Sequence, residues 1–106
     1  MQDGLTNLLK ETLEVLLNHG KSTIDVLWVG NSVVSGSWPA FAALAANVDY
    51  DSGFGEAEIP SDLVVVGSDW WLERGEYDGA EWWEYKTLPV RSTTQVESFS
   101  IKLIEG

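Results

Sequence analysis

The chain has 106 residues, 44% of them hydrophobic and 11% aromatic, with a formal net charge of −11. This length and composition predict one folded domain with a single core, and they exclude a disordered chain. The absence of cysteine excludes disulfides, thiolate metal sites and cysteine nucleophiles.

The charge also limits the classes of partner. Nucleic acids and anionic membranes attract clustered cationic groups, whereas the six lysines and arginines of this chain are scattered. We therefore expect a basic partner, no direct contact with nucleic acid and no membrane association. No apolar stretch approaches the ~20 residues of a membrane span, and the N-terminus lacks the pattern of a signal peptide. These features predict a cytoplasmic protein.

The N-terminal part of the chain predicts a helix followed by a strand. Leucines recur at helical spacing over residues 4–19, which predicts an amphipathic helix with Asp3 as its N-cap and Gly20 as its C-terminal stop. Residues 24–29 are rich in β-branched and aromatic side chains and are predicted to form a short strand.

The middle of the chain predicts a second helix, a loop and a buried strand. Ser37 as a cap and Pro39 in the first turn predict a short helix over residues 38–47. Residues 49–62 are acidic and interrupted by glycine and proline, which predicts a loop. The apolar run 63–66 predicts a central strand that is buried on both faces.

A tryptophan-rich hairpin is predicted next. Residues 70–77 and 80–86 flank Asp78-Gly79, a strong signal for a two-residue turn. That turn places Arg74 opposite Trp83, where the guanidinium can stack on the indole. A three-residue turn would shift the register. Strand alternation predicts that one ring of each Trp-Trp pair lies in the core and the other is partly exposed.

The predicted fold class is α+β: an N-terminal helix, a short second helix and a small, mainly antiparallel sheet ending in the Trp-rich hairpin. We predict one compact domain over residues 1–90. Residues 91–106 are predicted to form a C-terminal tail or an edge strand, because apolar residues alternate near the end.

The acidic loop invites a test for a cation site. Asp49, Asp51 and Glu58 offer the carboxylate oxygens that calcium prefers. Counted from Asp49, the glycine and the bidentate glutamate of a calcium-binding hand would fall at Phe54 and Pro60, so that motif fails. A solvated acidic loop and a weak, irregular cation site are the two alternatives.

No catalytic motif is present in the sequence. Gly20-Lys21-Ser22 has the ending of a phosphate-binding loop but follows a helix instead of preceding one. His19, the only histidine, has no cysteine or second histidine with which to form a triad or metal site. Glu73 with Glu84, or Glu76 with Glu81, could be proposed as the carboxylate pair of a glycosidase, but such enzymes need a deep cleft. We expect a non-enzymatic protein with no cofactor and no metal.

The acidic residues are concentrated in one third of the chain, which predicts a recognition surface, with solubility as the alternative. Residues 49–84 hold eleven carboxylates, one cationic side chain and four of the six tryptophans. The carboxylates would supply charge and an exposed tryptophan an apolar anchor. The candidate partner-binding residues are Asp49, Asp51, Glu56, Glu58, Trp71, Glu73, Glu76, Asp78, Glu81, Trp82 and Glu84.

Five segments of the chain also carry a resemblance to known proteins. They are DVLWVG (25–30), YDSGFG (50–55), DLVVVG (62–67), DWWLER (69–74) and EYDGAEWWEYK (76–86). Over about residues 5–90 the chain resembles a group of small, acidic, uncharacterised proteins of bacteriophages and mobile elements of Firmicutes. The resemblance implies a phage accessory protein in the bacterial cytoplasm. It assigns no catalytic residue.

Small acidic proteins of that origin include inhibitors of host defence, among them anti-CRISPR proteins, some of which imitate DNA. We therefore predict a non-enzymatic binding protein whose acidic face engages a basic host protein, such as a nucleic-acid-binding defence component. One alternative is a carbohydrate- or small-ligand-binding module that uses exposed tryptophans. A second is a structural or accessory phage protein. The open hairpin edge would also permit a homodimer.

Overall fold

The fold pairs a five-stranded antiparallel sheet with two helices, which confirms the predicted α+β class. The structure is a computed structural model that describes residues 4–53 and 55–104. In chain order the elements are β1 (Leu5–Asn7), α1 (Leu8–Asn18), a 3₁₀ turn (Thr23–Asp25), β2 (Trp28–Gly30), β3 (Ser35–Gly36), α2 (Trp38–Ala45), β4 (Asp49–Asp51), β5 (Val64–Val66), β6 (Trp70–Tyr77), β7 (Ala80–Thr87) and α3 (Ile101–Ile104).

The larger sheet has the strand order β3-β2-β5-β6-β7, and β1 pairs with β4 in a separate ribbon. Every pairing is antiparallel. Residues directly opposite each other across a sheet share a face, so the register defines two faces. The inner face contains the row Val29, Val65, Leu72 and Tyr85. The outer face contains the row Trp28, Val66, Trp71 and Lys86.

Both α1 and α2 pack on the inner face. Leu8 and Leu16 of α1 and Phe41 and Ala45 of α2 belong to the same buried cluster as the inner-face side chains of the sheet. This cluster also holds Trp70 and Trp83, one ring of each Trp-Trp pair, as predicted. The second rings, Trp71 and Trp82, lie on the outer face and are half-buried.

The N-terminal helix is shorter than predicted. It begins at Leu8 because the side chain of Asn7 caps it, accepting a hydrogen bond from the backbone N–H of Lys10 at 3.0 Å. Residues 5–7 form β1 and pair with the first part of the predicted 49–62 loop, which is β4. Asp3, the predicted cap, lies outside the described residues. Gly20, with φ +70°, follows the end of the helix as predicted.

The strand predicted over residues 24–29 is wrong in its first half. Residues 23–25 form the 3₁₀ turn, and the Asp25 carboxylate accepts a hydrogen bond from the Ser22 N–H at 2.8 Å. This local cap competes with the extended conformation, so the strand begins only at Trp28. The Ile24 side chain is exposed.

The second helix and the hairpin agree with the sequence. Ser37 caps α2 as predicted. Asp78 and Gly79 have φ of 50° and 88°, the two positive values of a two-residue hairpin turn. The three-residue alternative is therefore wrong, and Arg74 lies opposite Trp83.

Two details of the sheet differ from expectation. Strand β5 is central, but only Val65 is fully buried, because its neighbours Val64 and Val66 face the outer side. Residues 91–106 were predicted to form a tail or an edge strand, and their described part contains no strand: residues 101–104 form α3, and residues 91–102 are exposed.

Candidate functional site

An acidic cleft lies between the loop and the hairpin turn. It has a volume of about 520 Å³, and its lining consists of Gly55, Glu56, Ala57, Glu76, Tyr77, Asp78, Gly79 and Ala80. The three carboxylates of this lining were all predicted as partner-binding residues, and all three are exposed. The ring of Tyr77, which was not predicted, is 78% exposed at the edge of the cleft. An exposed ring beside three carboxylates can bind a cation through both charge and cation–π contact.

The cleft exists because the loop is fixed to the start of β7. The Glu81 N–H donates to the carbonyl of Ser52 at 2.7 Å. The Glu81 carboxylate in turn accepts the backbone N–H of Glu58 at 2.8 Å and that of Ile59 at 3.2 Å. These bonds hold residues 55–57 beside the hairpin turn.

Glu81 differs from the carboxylates of the cleft in being buried, so its side chain is not exposed for the direct partner contact that the sequence predicts. It is 4% exposed and lies 3.1 Å from the guanidinium of Arg74, whose side chain is 3% exposed. The predicted contact of Arg74 with Trp83 is confirmed at 4.6 Å from the ring centroid. Glu11 lies 3.5 Å from the same guanidinium.

Arg74, Glu81, Glu11 and Tyr50 form a buried polar cluster. Apart from the contact of Arg74 with Trp83, the sequence did not predict it. The Tyr50 hydroxyl donates to the Glu11 carboxylate at 2.6 Å and accepts from Arg74 at 2.9 Å. Burial, reinforced by the hydrogen bond to Glu11, raises the pKa of Tyr50 well above its usual range. Arg74 Nε and Nη1 make no hydrogen bond within the described part of the chain. Their stabilisation comes from the Trp83 ring and from the nearby carboxylates.

The outer face collects four more of the predicted residues. The Trp71 indole N–H donates to Glu73 at 2.7 Å, and the Trp82 indole N–H donates to Glu84 at 3.1 Å. Glu73 and Glu84 lie directly opposite each other in the hairpin. Two carboxylates therefore lie side by side on a sheet face, with an indole directed towards each.

The remaining predicted carboxylates shape the loop. Asp49 accepts a hydrogen bond from the Asn7 amide at 2.8 Å, and Asp51 accepts the Gly53 N–H at 3.0 Å. Glu58 accepts the Asp51 N–H at 3.2 Å. Within residues 4–53 and 55–104, no group of three or more histidine, cysteine or acidic side chains is arranged to hold a metal ion.

Two further sequence features have structural roles. Lys21 lies with its ammonium 5.8 Å from the centroid of the Trp70 ring, so it covers a core side chain. His19 stacks on Tyr85 with ring centroids 4.0 Å apart. Both residues hold the end of α1 against the inner face of the sheet.

None of the described helices has the length and apolar character needed to cross a membrane.

Comparison with known proteins adds no identification. No protein-family model, curated protein or solved structure matches the chain.

Proposed function

We propose that this chain is a non-enzymatic binding protein of phage or mobile-element origin whose acidic surface engages a basic host protein. The origin is suggested by the sequence resemblance over residues 5–90. The target proposed from it is a nucleic-acid-binding defence component in the bacterial cytoplasm, which the protein would inhibit by occupying its basic groove.

The acidic cleft is the observation that supports this proposal best. Glu56, Glu76 and Asp78 come from two segments that are about 20 residues apart in the chain, yet they line one concave surface. No lysine or arginine of the described residues lies within salt-bridge distance of them. Their charge is therefore available to a partner.

The magnitude of the charge favours a basic partner over other classes. A net charge of −11 on 106 residues creates a strongly negative potential that repels nucleic acids and anionic membranes and attracts cationic surfaces. Such attraction accelerates association and weakens steeply as salt screens it over about 10 Å at 0.1 M ionic strength.

The proposal is tested by capture of a host protein. The immobilised protein is incubated with lysate of a Firmicutes host at low and at high ionic strength, and the bound proteins are identified. We expect a basic, nucleic-acid-binding protein that is released by salt and displaced by added DNA. If no such protein is captured even at low ionic strength, the proposal is wrong.

A matched pair of variants locates the surface. Glu76→Lys places a cation in the cleft, whereas Glu14→Lys makes the same charge change on the exposed side of α1. We expect Glu76→Lys to weaken capture about tenfold more than Glu14→Lys, since one close charge contact is worth about 1.4 kcal/mol or more. Equal effects would show that only net charge matters.

The tryptophans favour one alternative, a carbohydrate- or small-ligand-binding module. Trp28, Trp71 and Trp82 share the outer face, and flat aromatic surfaces bind sugar rings. Salt separates the two functions, because sugar stacking barely responds to ionic strength whereas capture of a basic protein does.

A further inference from the structure

Both faces of the hairpin carry pairs of carboxylates beside tryptophan rings, but only the inner face also has a guanidinium. There, Arg74 lies between the carboxylates of Glu11 and Glu81 and over the ring of Trp83. The outer face of the same hairpin has the carboxylates and the rings but lacks the guanidinium. We propose that it is the docking surface for an arginine side chain of the partner protein, an inference that rests on the proposed function.

The spacing of the outer-face residues supports this assignment. Glu73 and Glu84 are direct cross-strand partners, so their side chains start about 5 Å apart. Trp71 precedes this pair on β6, and Trp82 lies beyond it on β7, each about 7 Å along the strands at ~3.4 Å per residue. A guanidinium placed between the carboxylates would therefore be flanked by two indoles.

A glycine makes the close approach of these side chains possible. Gly75 lies opposite Trp82, and a Cβ at this position would lie 2.7 Å from the Trp82 Nε1 and 2.6 Å from the Glu84 Oε2. The missing side chain leaves the space in which the indole and the carboxylate meet. The indole edge is thereby turned towards the carboxylate pair.

The facing carboxylates of Glu73 and Glu84 repel each other in the free protein. Like charges directly opposite each other in a sheet are destabilising. Lys86 lies 3.5 Å from Glu84 and relieves it in part. Among the described residues, no cationic nitrogen lies within salt-bridge distance of Glu73. A cationic side chain from another protein would remove the repulsion. The Glu73–Glu84 pair is therefore complementary in charge to such a side chain.

The chemistry of the face favours arginine over lysine and a foreign partner over a second copy. Guanidinium is planar, weakly hydrated and able to contact two carboxylates while stacking on an aromatic ring, whereas ammonium is a strongly hydrated point charge. A second copy would bring another net charge of −11 to the same face. The face therefore fits an arginine-bearing segment of a basic protein.

The test compares two synthetic peptides in calorimetric titrations at low ionic strength. Both have a glycine and serine background, and they carry equal numbers of arginines or of lysines. We expect the arginine peptide to bind about tenfold more tightly, because a planar guanidinium can contact both carboxylates and an indole at once, whereas an ammonium cannot. A citrulline version of the peptide, which lacks the charge, should not bind.

Glu73→Gln is the decisive variant. Glutamine keeps an oxygen to accept the Trp71 indole N–H, and it removes one of the two facing charges. We expect the variant to be as stable as the wild type or more stable, and to lose the preference for arginine. The control is Glu76→Gln, the same change in the cleft, which should weaken both peptides equally.

The other outcomes separate the two proposals. If both peptides bind equally and only Glu76→Gln weakens them, the arginine assignment is wrong while the acidic binding function stands. If neither peptide binds, the arginine assignment is wrong, and the capture experiment with host lysate decides the proposed function separately. Self-association that is abolished by Trp71→Ser would assign the face to a second copy, and salt-independent binding of an oligosaccharide would assign it to a sugar. Either result would overturn the inference.

Discussion

Replacement of Glu81 by glutamine tests whether the buried Glu81 carboxylate holds the acidic loop and the Arg74 guanidinium in place. The carboxylate accepts hydrogen bonds from the Glu58 and Ile59 N–H groups and pairs with Arg74 at 3.1 Å. In either orientation, the glutamine amide directs an NH₂ group at one of these donors, and the guanidinium loses its most buried counter-charge. Breaking a buried ion pair by removing one partner costs about 3–5 kcal/mol.

That cost is large beside the total stability of a domain, which is about 5–15 kcal/mol. At about 4 °C per kcal/mol, the melting temperature should fall by about 12 °C or more. The free energy of unfolding is measured by urea titration with tryptophan fluorescence. Hydrogen exchange at the Glu58 and Ile59 amides should also accelerate, because they lose their acceptor.

The matched control is Glu76→Gln. Glu76 lies directly opposite Glu81 in the hairpin but is exposed, so the same change in charge should leave the urea midpoint nearly unaltered. Equal midpoints for the two variants would refute the conclusion that the Glu81 carboxylate holds the loop and the guanidinium in place.

Two further predictions concern the same core. Because the pKa of Tyr50 is raised, the folded state keeps its proton at pH values where the unfolded chain has lost it, so stability should fall as the pH rises above about 10. Tyr50→Phe should lack this alkaline loss, as measured by the urea midpoint against pH, and an equal loss in the variant would contradict the assignment. Thr12→Val should cost about 1–3 kcal/mol because the buried Trp83 N–H loses its acceptor at 2.9 Å, whereas Thr12→Ser should cost clearly less in the same assay.

The hairpin shows how much of the fold local sequence can predict. Asp78-Gly79 requires the two-residue turn, that turn sets the register, and the register decides which ring of each Trp-Trp pair faces the helices. Each step depends on neighbouring residues or on period-two alternation. The contact between Arg74 and Trp83 follows from the same reasoning.

The errors in the N-terminal part arise where local signals compete. Asn7 was counted within the leucine helix, but its amide caps that helix and also donates to Asp49 at 2.8 Å. The strand β1 depends on pairing with residues that lie more than 40 positions away. Periodicity within one segment contains no information on such a partner.

For the candidate site, the sequence by itself determined the type of surface: carboxylates concentrated around a tryptophan hairpin, with one ring of each pair left on the outside. Tertiary structure alone decided which carboxylates are available. Glu76 and Glu81 are the same residue type, paired across one hairpin, yet one lines the cleft and the other is buried against Arg74. The physical reason is that burial depends on the loop folding over Glu81, and that contact is made between residues distant in the chain.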